Sequence, residues 1–495
     1  MQRTSTPSLR RQRALVPVLV SLGLLVAIVS SLGAPLIPTI AATRHVPVSD
    51  AQWSLTVTML VGAIATPTMG RLGDGPHRRK VMLAGLAAVL VGSVLAALPL
   101  GFAWLIAGRA LQGFGIGLTP LAMATARDAL PPERARSAVT TLSLTAAVGV
   151  GLGYPVTGLV AEAFGVHAGF WLAAAAAGLA LVAAAVVLPP PPRRRAHRLD
   201  VLGAVLLAAG LAGLLFALTQ GEGWGWTSAR LLGLAAGSAL LLVWWVLHEL
   251  RTPHPLVDVR LVRDRAVLAA DLTGVIAGVG MYLLMSSVTR FVQTPTSAGH
   301  GFGASIVVTG LVLVPFSVAS LAAGWLVRAL NRVLPLGRIM LIGCLVSLVS
   351  ALSFVFARDH LWQVFATMAV AGLGIGVTVA VMPGLIVSAV PAEETGSAMS
   401  FNHVVKYVGY STGSALSAVV LLAHTGPGRD LPSNDGYGTV GLVACGVWVV
   451  TALLGLLLLR SRGSGARTAV AVDAGDAGPA PLREDGPARP VRADR

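Results

Sequence analysis

Stretches of about 20 apolar residues recur along the whole chain, and short connections between them hold most of its charges. A helix of that length crosses the ~30 Å hydrocarbon core of a bilayer, where only helices or closed barrels satisfy their backbone. The runs lack the alternation of barrel strands. Charged residues are 12% of the 495 residues, against ~25% in a soluble domain. The sequence therefore predicts an all-α polytopic membrane protein, embedded in a lipid bilayer.

About fourteen spans are expected, in groups of six, two and six. A run of prolines and arginines follows the first six, and a polar connection precedes the last six. The expected segments are a cytoplasmic N-terminus, a six-helix bundle, a cytoplasmic linker, two additional transmembrane helices, a cytoplasmic connection, a second six-helix bundle and a disordered cytoplasmic tail, at 1–13, 14–188, 189–199, 200–248, 249–265, 266–460 and 461–495.

The positive charges are distributed unevenly between the two sides of the expected spans. With the N-terminus inside, 29 of the 36 Lys and Arg residues fall in inner segments, five fall in outer loops, and Arg109 and Lys406 lie within spans. Inner loops of membrane proteins carry such an excess. The pattern predicts a multi-pass protein of the cell membrane with both termini cytoplasmic, and it explains the net charge of +15 without nucleic acid.

The two six-span blocks repeat each other. The stretch GFGIGLT at 113–119 returns as GLGIGVT at 372–378, and PPERARSAV at 131–139 returns as PAEETGSAM at 391–399. A weaker copy of GRLGD…RRKVMLAG is present at 324–343. Duplicated halves are typical of secondary transporters that move around a central site. The repeat argues against a channel monomer or a membrane enzyme.

The connection GRLGDGPHRRKV, which follows the second span, contains more charged residues and glycines than a simple chain reversal requires. Gly70 permits close approach of helices, and the Asp74 carboxylate is suited to pair with a cation or a helix N-terminus and to be released when helices move. Arg78 and Arg79 follow at the inner face. The alternative is an ordinary positive loop, but orientation alone does not require the spacing of these residues with Leu72.

This spacing resembles the signature loop between the second and third helices of the major facilitator superfamily. A second signature is similar to Arg109, Gln112 and Gly113 in the fourth span, and a third is similar to the glycine- and proline-containing stretch at 149–158, which is associated with exporters. The arrangement of six, two and six spans resembles the fourteen-helix drug:proton antiporter branch. The likeness covers about residues 14–460.

The resemblance implies the fold of that superfamily and specific residue roles. Asp74 would close an inner gate by contacting the start of the thirteenth helix near Gly396 and Ser397. Arg109 would be a buried charge linked to proton movement. The fifth helix would contain a bending, tightly packed hinge at Gly149, Gly153, Pro155 and Gly158.

Two features depart from the family pattern. Tyr154 separates Gly153 from Pro155, where the exporter stretch usually has glycine directly before proline. The first span also lacks the acid that members of this branch often carry there. The route of proton coupling is therefore open.

Ionisable residues within spans are functional candidates because charge is costly in lipid. Arg109 is always protonated, so its role would be to hold an anion or perturb a carboxylate; the alternative is a structural contact with backbone carbonyls. Asp271 is the deepest Asp and a candidate for proton or substrate coupling, or else a wet carboxylate at the inner boundary. Glu162 is a weaker candidate, since it also fits an outer-loop acid.

The thirteenth span opens with Asn402, His403, Lys406 and Tyr407 within two turns. His403 and Lys406 share one helix face, and histidine titrates near neutral pH. These residues are expected to line a substrate cavity; the alternative is that Lys406 extends to the interface and His403 caps a helix contact. Nucleotide-binding, metal-ligand and nucleophile motifs are lacking, so no enzyme activity, cofactor or metal is expected.

The leading hypothesis is a proton-driven exporter of amphipathic drugs or toxic organic compounds that works by alternating access, with protons and a small molecule as its partners and a monomer as its working form. A second hypothesis is a dedicated exporter of one endogenous metabolite or antibiotic. A third, from another class, is a membrane receptor or scaffold that does not transport.

Overall fold

A computed structural model of the chain describes residues 9–32, 40, 43–46, 51, 53–190, 200–253, 255–391, 394–426 and 431–459. The expected tail at 461–495 and most of the expected linker at 189–199 lie outside these residues. The described part is built from long helices joined by short turns.

Within the described residues, the first half holds six long helices, of which the fourth is interrupted by a 3₁₀ turn at Phe114–Gly117. They are α1 (Leu9–Ser31), α2 (Trp53–Gly73), α3 (Arg78–Ala97), α4 (Phe102–Gly113 and Leu118–Ala129), α5 (Pro132–Phe164) and α6 (Val166–Val187). The turns before α4 and α6 use Gly101 and Gly165 at φ values of 107° and 82°, a conformation that favours glycine.

Two accessory helices follow, α7 (Val201–Trp224) and α8 (Ala229–Glu249), and a 3₁₀ turn at Val259–Arg263 leads to the second half. The second half consists of α9 (Arg265–Gln293), α10 (Ile306–Leu330), α11 (Leu336–Phe356), α12 (Leu361–Ala389), α13 (Thr395–Ala423) and α14 (Asn434–Leu459). Side-chain caps define several starts: Asp200 accepts from Gly203 N at the start of α7, and Asp264 accepts from Ala266 N at the start of α9.

Among the described residues, eleven of these helices are long and apolar enough to cross a membrane. Helix α1 contributes a shorter apolar stretch at Ala14–Val29, and α4 is divided by its 3₁₀ turn into two segments of twelve residues each. The interruption lies in the repeated glycine motif. Helix α5, with 33 residues, is long enough to cross as well. The fold is thus the all-α membrane architecture that the hydropathy predicted.

Small residues determine where the helices of one half touch. A Cβ on Gly409 or Gly413 of α13 would overlap the backbone carbonyl groups of Val275 or Val279 of α9. Close approach of backbones through such residues is a main source of packing energy in lipid, because apolar side chains gain little by leaving it.

The accessory pair lies beside the contact between the two halves. Phe216 of α7 contacts Trp53 of α2 with ring centroids 5.3 Å apart, and Trp245 of α8 stacks on Phe401 of α13 at 6.0 Å. Because α2 and α13 belong to opposite halves, α7 and α8 bridge them at the side of the junction.

Candidate functional site

The Asp74 carboxylate connects the C-terminal end of α2 to the start of α13. Its Oδ1 accepts a hydrogen bond from Gly396 N (2.7 Å), and its Oδ2 accepts from Ser397 N (2.9 Å) and Ser397 Oγ (2.5 Å). The first N–H groups of a helix have no intrahelical acceptor, and the helix dipole favours an anion there. The contact implied by the resemblance is therefore present; we call it the acid clasp.

The acid clasp is excluded from water. Asp74 is fully buried, and burial raises its pKa to about 6. The hydrogen bonds from Ser397 and Gly396, and the charge of Arg78, act in the opposite direction. The hydrogen bonds and the charge of Arg78 thus offset part of the cost of burying the charged carboxylate. A change in the contact between α2 and α13 would alter this balance.

Glycines allow α2 and α13 to come close enough for this contact. A Cβ on Gly70 would lie 2.7 Å from Ser400 Cβ and 2.9 Å from the carbonyl oxygen of Gly396. A Cβ on Gly396 would meet the backbone oxygen of Gly70 at 3.1 Å. The glycine at position 70 is therefore required by the crossing itself.

The neighbouring cations brace the first half. Arg78 donates to the carbonyl of Gly73 (2.7 Å) and forms an ion pair with Asp128 at the end of α4 (2.5 Å). Arg79 donates to the carbonyl of Ala185 in α6 (2.6 Å). The hydrogen bonds of Asp74 thus come from a helix N-terminus rather than from these cations, and Leu72 is exposed on the apolar surface.

Sequence reasoning missed a second connection between the halves. Arg127, at the end of α4, donates to Thr395 Oγ1 and to the carbonyls of Val390 (3.1 Å) and Pro391 (3.4 Å). In the sequence, Arg127 is only a cation at the predicted cytoplasmic end of the fourth span. The excess of positive charge on that side already explained its presence.

A third connection involves the weaker copy of the signature loop. Arg328 at the end of α10 donates to Ser137 Oγ (3.0 Å) and Thr141 Oγ1 (3.5 Å) in α5. In the repeat, Arg328 stands where Asp74 stands in GRLGD, and Ser137 stands where Ser397 stands. The molecule therefore has a second clasp at the equivalent position, which we call the arginine clasp.

Arg109 ties four helices together at the centre of the first half. It is fully buried, and it donates to the carbonyls of Ser54 (2.7 Å) and Val29 (3.0 Å) and to Gln112 Oε1 (2.6 Å). Gln112 in turn donates to Ser93 Oγ (2.9 Å). Within the described part of the chain, no carboxylate forms an ion pair with Arg109.

Two further sequence motifs lie at close helix contacts. A Cβ on Gly113 would lie 2.6 Å from the carbonyl oxygen of Thr58 in α2. In α5, a Cβ on Gly149 would lie 2.7 Å from Ala27 Cα of α1, and Gly153 is buried. The backbone of α5 is helical throughout, whereas the side chains of Pro155 and Glu162, and the packing around Gly158, lie outside what the structure describes.

Asp271 and the polar start of α13 form one cluster. Asn402 Nδ2 donates to Asp271 Oδ1 (2.9 Å), and the Lys406 ammonium is close enough to attract the carboxylate. His403 and Lys406 are both buried, and Asn402 Oδ1 and His403 Nε2 are buried polar atoms without hydrogen-bond partners in the described structure. Two sets of residues that the sequence left apart thus meet.

Aromatic side chains follow the Asp271 cluster toward the C-terminal end of α13. Tyr407 contacts Tyr410 edge to face at 5.5 Å, and Tyr410 stacks on Tyr282 of α9 at 4.6 Å. Only Tyr407 was predicted from sequence. Aromatic side chains offer flat surface and a polar tip, which suits amphipathic ligands. Groups of three or more potential metal ligands are absent from the described residues.

The fold and these contacts define a helical membrane transporter with two repeated halves. The family model of the Major Facilitator Superfamily matches residues 19–414 and 272–492, and the chain belongs to that superfamily. The protein is therefore a transporter and not an enzyme.

Two named relatives are similar to this chain in sequence, and a solved structure is similar to it in fold. The chain is 27% identical over 398 residues to the multidrug resistance protein Stp of Mycobacterium tuberculosis, covering 78% of this chain and 72% of the relative. It is 27% identical over 412 residues to the tetracenomycin C resistance and export protein of Streptomyces glaucescens, covering 81% and 74%. A human organic anion transporter shares the fold, with a TM-score of 0.61 at 17% identity over 90% of this chain and 99% of that one.

Proposed function

We propose that the chain is a proton-driven exporter of amphipathic organic compounds that works by alternating access. Its relatives include multidrug and antibiotic exporters, which supports the drug-exporting part. The coupling part rests on one observation. Asp271 of α9 is buried in the second half, and Asn402 of α13 donates a hydrogen bond to its carboxylate. A buried carboxylate is a group that changes charge as access changes sides.

The clasps supply the conformational part of the mechanism. The acid clasp and the Arg127 contacts join opposite halves at their inner ends, so substrate from the cytoplasm reaches the centre only after they open. Motion of two repeated halves around a site at the middle of the membrane would break these contacts together. The inner gate residues Gly70, Asp74 and Arg78 act in this step.

Protonation drives the other part of the cycle. A proton entering from outside neutralises Asp271, weakens the attraction for a substrate that interacts with its charge, and allows the substrate to leave outward. Arg109 remains charged and braces the first half, so it does not carry the proton itself. The tyrosines of α9 and α13 provide the surface for an aromatic substrate.

The test uses everted membrane vesicles, whose cytoplasmic face is outside. With an imposed pH gradient they should accumulate ethidium, and an uncoupler should abolish accumulation. Asp271→Asn should remove gradient-driven uptake, while Asp435→Asn, at an exposed acid outside the cluster, should leave it unchanged. Uptake that persists without a gradient, or in Asp271→Asn, would reject proton coupling through this carboxylate.

A dedicated exporter of one endogenous compound is the second candidate. The first span has no acid, and one relative is named for a single antibiotic. Growth inhibition across chemically unrelated toxic compounds, with and without the gene, separates the two: protection against several classes supports a multidrug exporter. Loss of flux in Asp74→Asn at normal expression would support a transporter, whereas normal signalling without flux would support a receptor or scaffold.

The remaining parts of the proposal concern the setting. We place the protein in the cell membrane with both termini in the cytoplasm, since the inner segments hold 29 of the 36 Lys and Arg residues. A single chain contains both halves and the cluster between α9 and α13, so a monomer has every part that the mechanism uses.

A further inference from the structure

A small pocket opens beside Asp271, at the inner end of α9. Its apolar wall comes from Val257 and Leu261 of the connection after α8, Val267 of α9, and Ala398 and Phe401 of α13. The pocket has room for about one water molecule. It is therefore too small for an organic substrate.

The pocket is separate from the path between the halves. Every residue that lines it belongs to the connection, α9 or α13, so the first half takes no part in it. The acid clasp closes the inner side between the halves in the same structure. Asp271 thus borders a space that is distinct from the path between the halves.

Two carboxylates line the pocket, Asp271 and Asp258. Asp271 is 6% exposed, and Asn402 occupies its Oδ1, which leaves Oδ2 for a water molecule. Asp258 is half-buried, and its Oδ1 accepts from Arg260 N (3.0 Å). A hydrated proton suits such a site, whereas an apolar group does not.

Helix α8 lies against the connection that lines the pocket. Glu249, buried at the end of α8, accepts a hydrogen bond from Trp245 Nε1 (2.9 Å), and its carboxylate lies near the backbone of Leu256 and Val257. Trp245 also stacks on Phe401, which lines the pocket. Helix α8 therefore supports the side of the pocket that the connection and Phe401 form.

We propose that this pocket is an inner proton port, through which the proton carried by Asp271 leaves to the cytoplasm while the substrate uses the path between the halves. The proton passes from Asp271 Oδ2 to the water, the water gives a proton to the Asp258 carboxylate, and Asp258 gives it to the cytoplasm. One proton moves and no other bond changes. The port rests on the proposed proton coupling through Asp271.

The experiment closes the port after the protein has folded. Leu261→Cys, in a background in which Cys344 and Cys445 are Ala, is labelled in everted vesicles with a bulky, membrane-impermeant methanethiosulfonate. Labelling should lower ethidium uptake driven by the pH gradient about tenfold or more, because a positioned proton relay contributes at least that much. Exchange of internal for external ethidium, which requires no net proton release, should stay unchanged.

The controls separate the port from the function on which it rests. Arg260→Cys lies on the same turn, is exposed and does not line the pocket, so its labelling should change neither rate. Asp258→Asn should slow gradient-driven uptake and spare exchange. The port is wrong if labelled Leu261→Cys keeps the full gradient-driven rate, if labelling stops exchange as well, or if the reagent does not reach the cysteine.

The failure of the proposed function has a different signature. If Asp271→Asn retains gradient-driven uptake, coupling through this carboxylate is wrong, and the port is wrong with it. If Asp271→Asn loses that uptake while labelled Leu261→Cys keeps it, the coupling stands and the port alone is rejected.

Discussion

The acid clasp and the arginine clasp occupy equivalent positions in the two halves, yet opposite charges form them. Asp74 is fully buried and receives three hydrogen bonds, two of them from backbone N–H groups in the first turn of α13. Arg328 is half-buried and donates only to hydroxyls in the second and third turns of α5. A helix start attracts an anion and repels a cation, so the dipole supports the first clasp and opposes the second.

The glycines of the two clasps differ in the same direction. Gly70 faces backbone and a short side chain of α13, whereas a Cβ on its counterpart Gly324 would meet only the side chain of Leu144. A leucine side chain adapts more easily than a helix backbone. We therefore expect the acid clasp to determine when the inner side opens and the arginine clasp to follow.

Asp74→Asn should have the largest effect. The new amide would direct its N–H groups toward the N–H of Ser397 or Gly396, which leaves buried donors without acceptors. A loss of about 3 kcal/mol is expected for such a group, so the closed inner state should be disfavoured roughly a hundredfold. Ethidium transport should be nearly lost at normal expression.

The opening itself is measurable by the distance between two spin labels. Lys80→Cys at the start of α3 and Arg338→Cys near the start of α11 are both exposed at inner ends of opposite halves. In Asp74→Asn, pulsed electron resonance should show a longer distance between these labels. Glu133→Gln, an exposed acid at the start of α5, is the control, and an unchanged distance in Asp74→Asn would refute the leading role of the acid clasp.

The paired substitutions Gly70→Ala and Gly324→Ala test the difference in packing. The first forces a methyl group within 2.9 Å of the Gly396 carbonyl oxygen, and the second meets an adaptable side chain. Overpacking of this kind costs about 1–3 kcal/mol, so transport should fall about tenfold in Gly70→Ala and change little in Gly324→Ala. Equal losses in both variants would mean that the halves depend equally on the two contacts.

The acid clasp should also respond to pH. The closed clasp raises the pKa of Asp74 from 3.8 to about 6 through burial, and opening to water returns it toward 3.8. The closed state thus binds a proton more tightly, and lowering the pH from 7 to 5 should favour closure several-fold. Above about pH 7 the clasp carboxylate is charged in both states, and this dependence should disappear.

The same pair of spin labels reads this dependence without substrate. The population with the short distance should grow as the pH falls from 7 to 5 in the otherwise native chain. Asp74→Asn should lack the change, because it has no titrating group at that position. A pH response that survives in Asp74→Asn would have to come from another group and would contradict the assignment.

Hydropathy predicted the all-α fold from the sequence, because each membrane-spanning helix must satisfy its own backbone hydrogen bonds and is therefore visible as a local apolar run. The superfamily was predicted from the resemblance of the signature motifs. The resemblance also led to the Asp74 contact with Gly396 and Ser397. Arg127 and Arg328 were assigned only to orientation, since no local pattern names a partner across the two halves. The role of each clasp residue in gating remains a prediction.

The residues of the Asp271 cluster were predicted from the sequence, but their contact with one another was not. Asn402, His403 and Lys406 share a face by helix periodicity, but their apposition to Asp271 depends on how α9 crosses α13. That crossing is determined by Gly409 and Gly413, which look like ordinary membrane glycines in the sequence. The stacking of Tyr282 on Tyr410 was not predicted, because it depends on the same crossing of α9 and α13.

Arg328→Gln should have the smallest effect of the clasp substitutions. Glutamine keeps a donor near Ser137 Oγ but loses the charge, and a half-buried cation on a hydroxyl contributes about 0.5–1 kcal/mol. Transport should therefore change by no more than about fivefold, and the distance between the labels at positions 80 and 338 should stay short. Arg328→Ala distinguishes the contact from the charge, since it removes both. If either variant opened the inner side as widely as Asp74→Asn does, the two clasps would be equal despite their opposite charges, and the dipole argument that ranks them would be wrong.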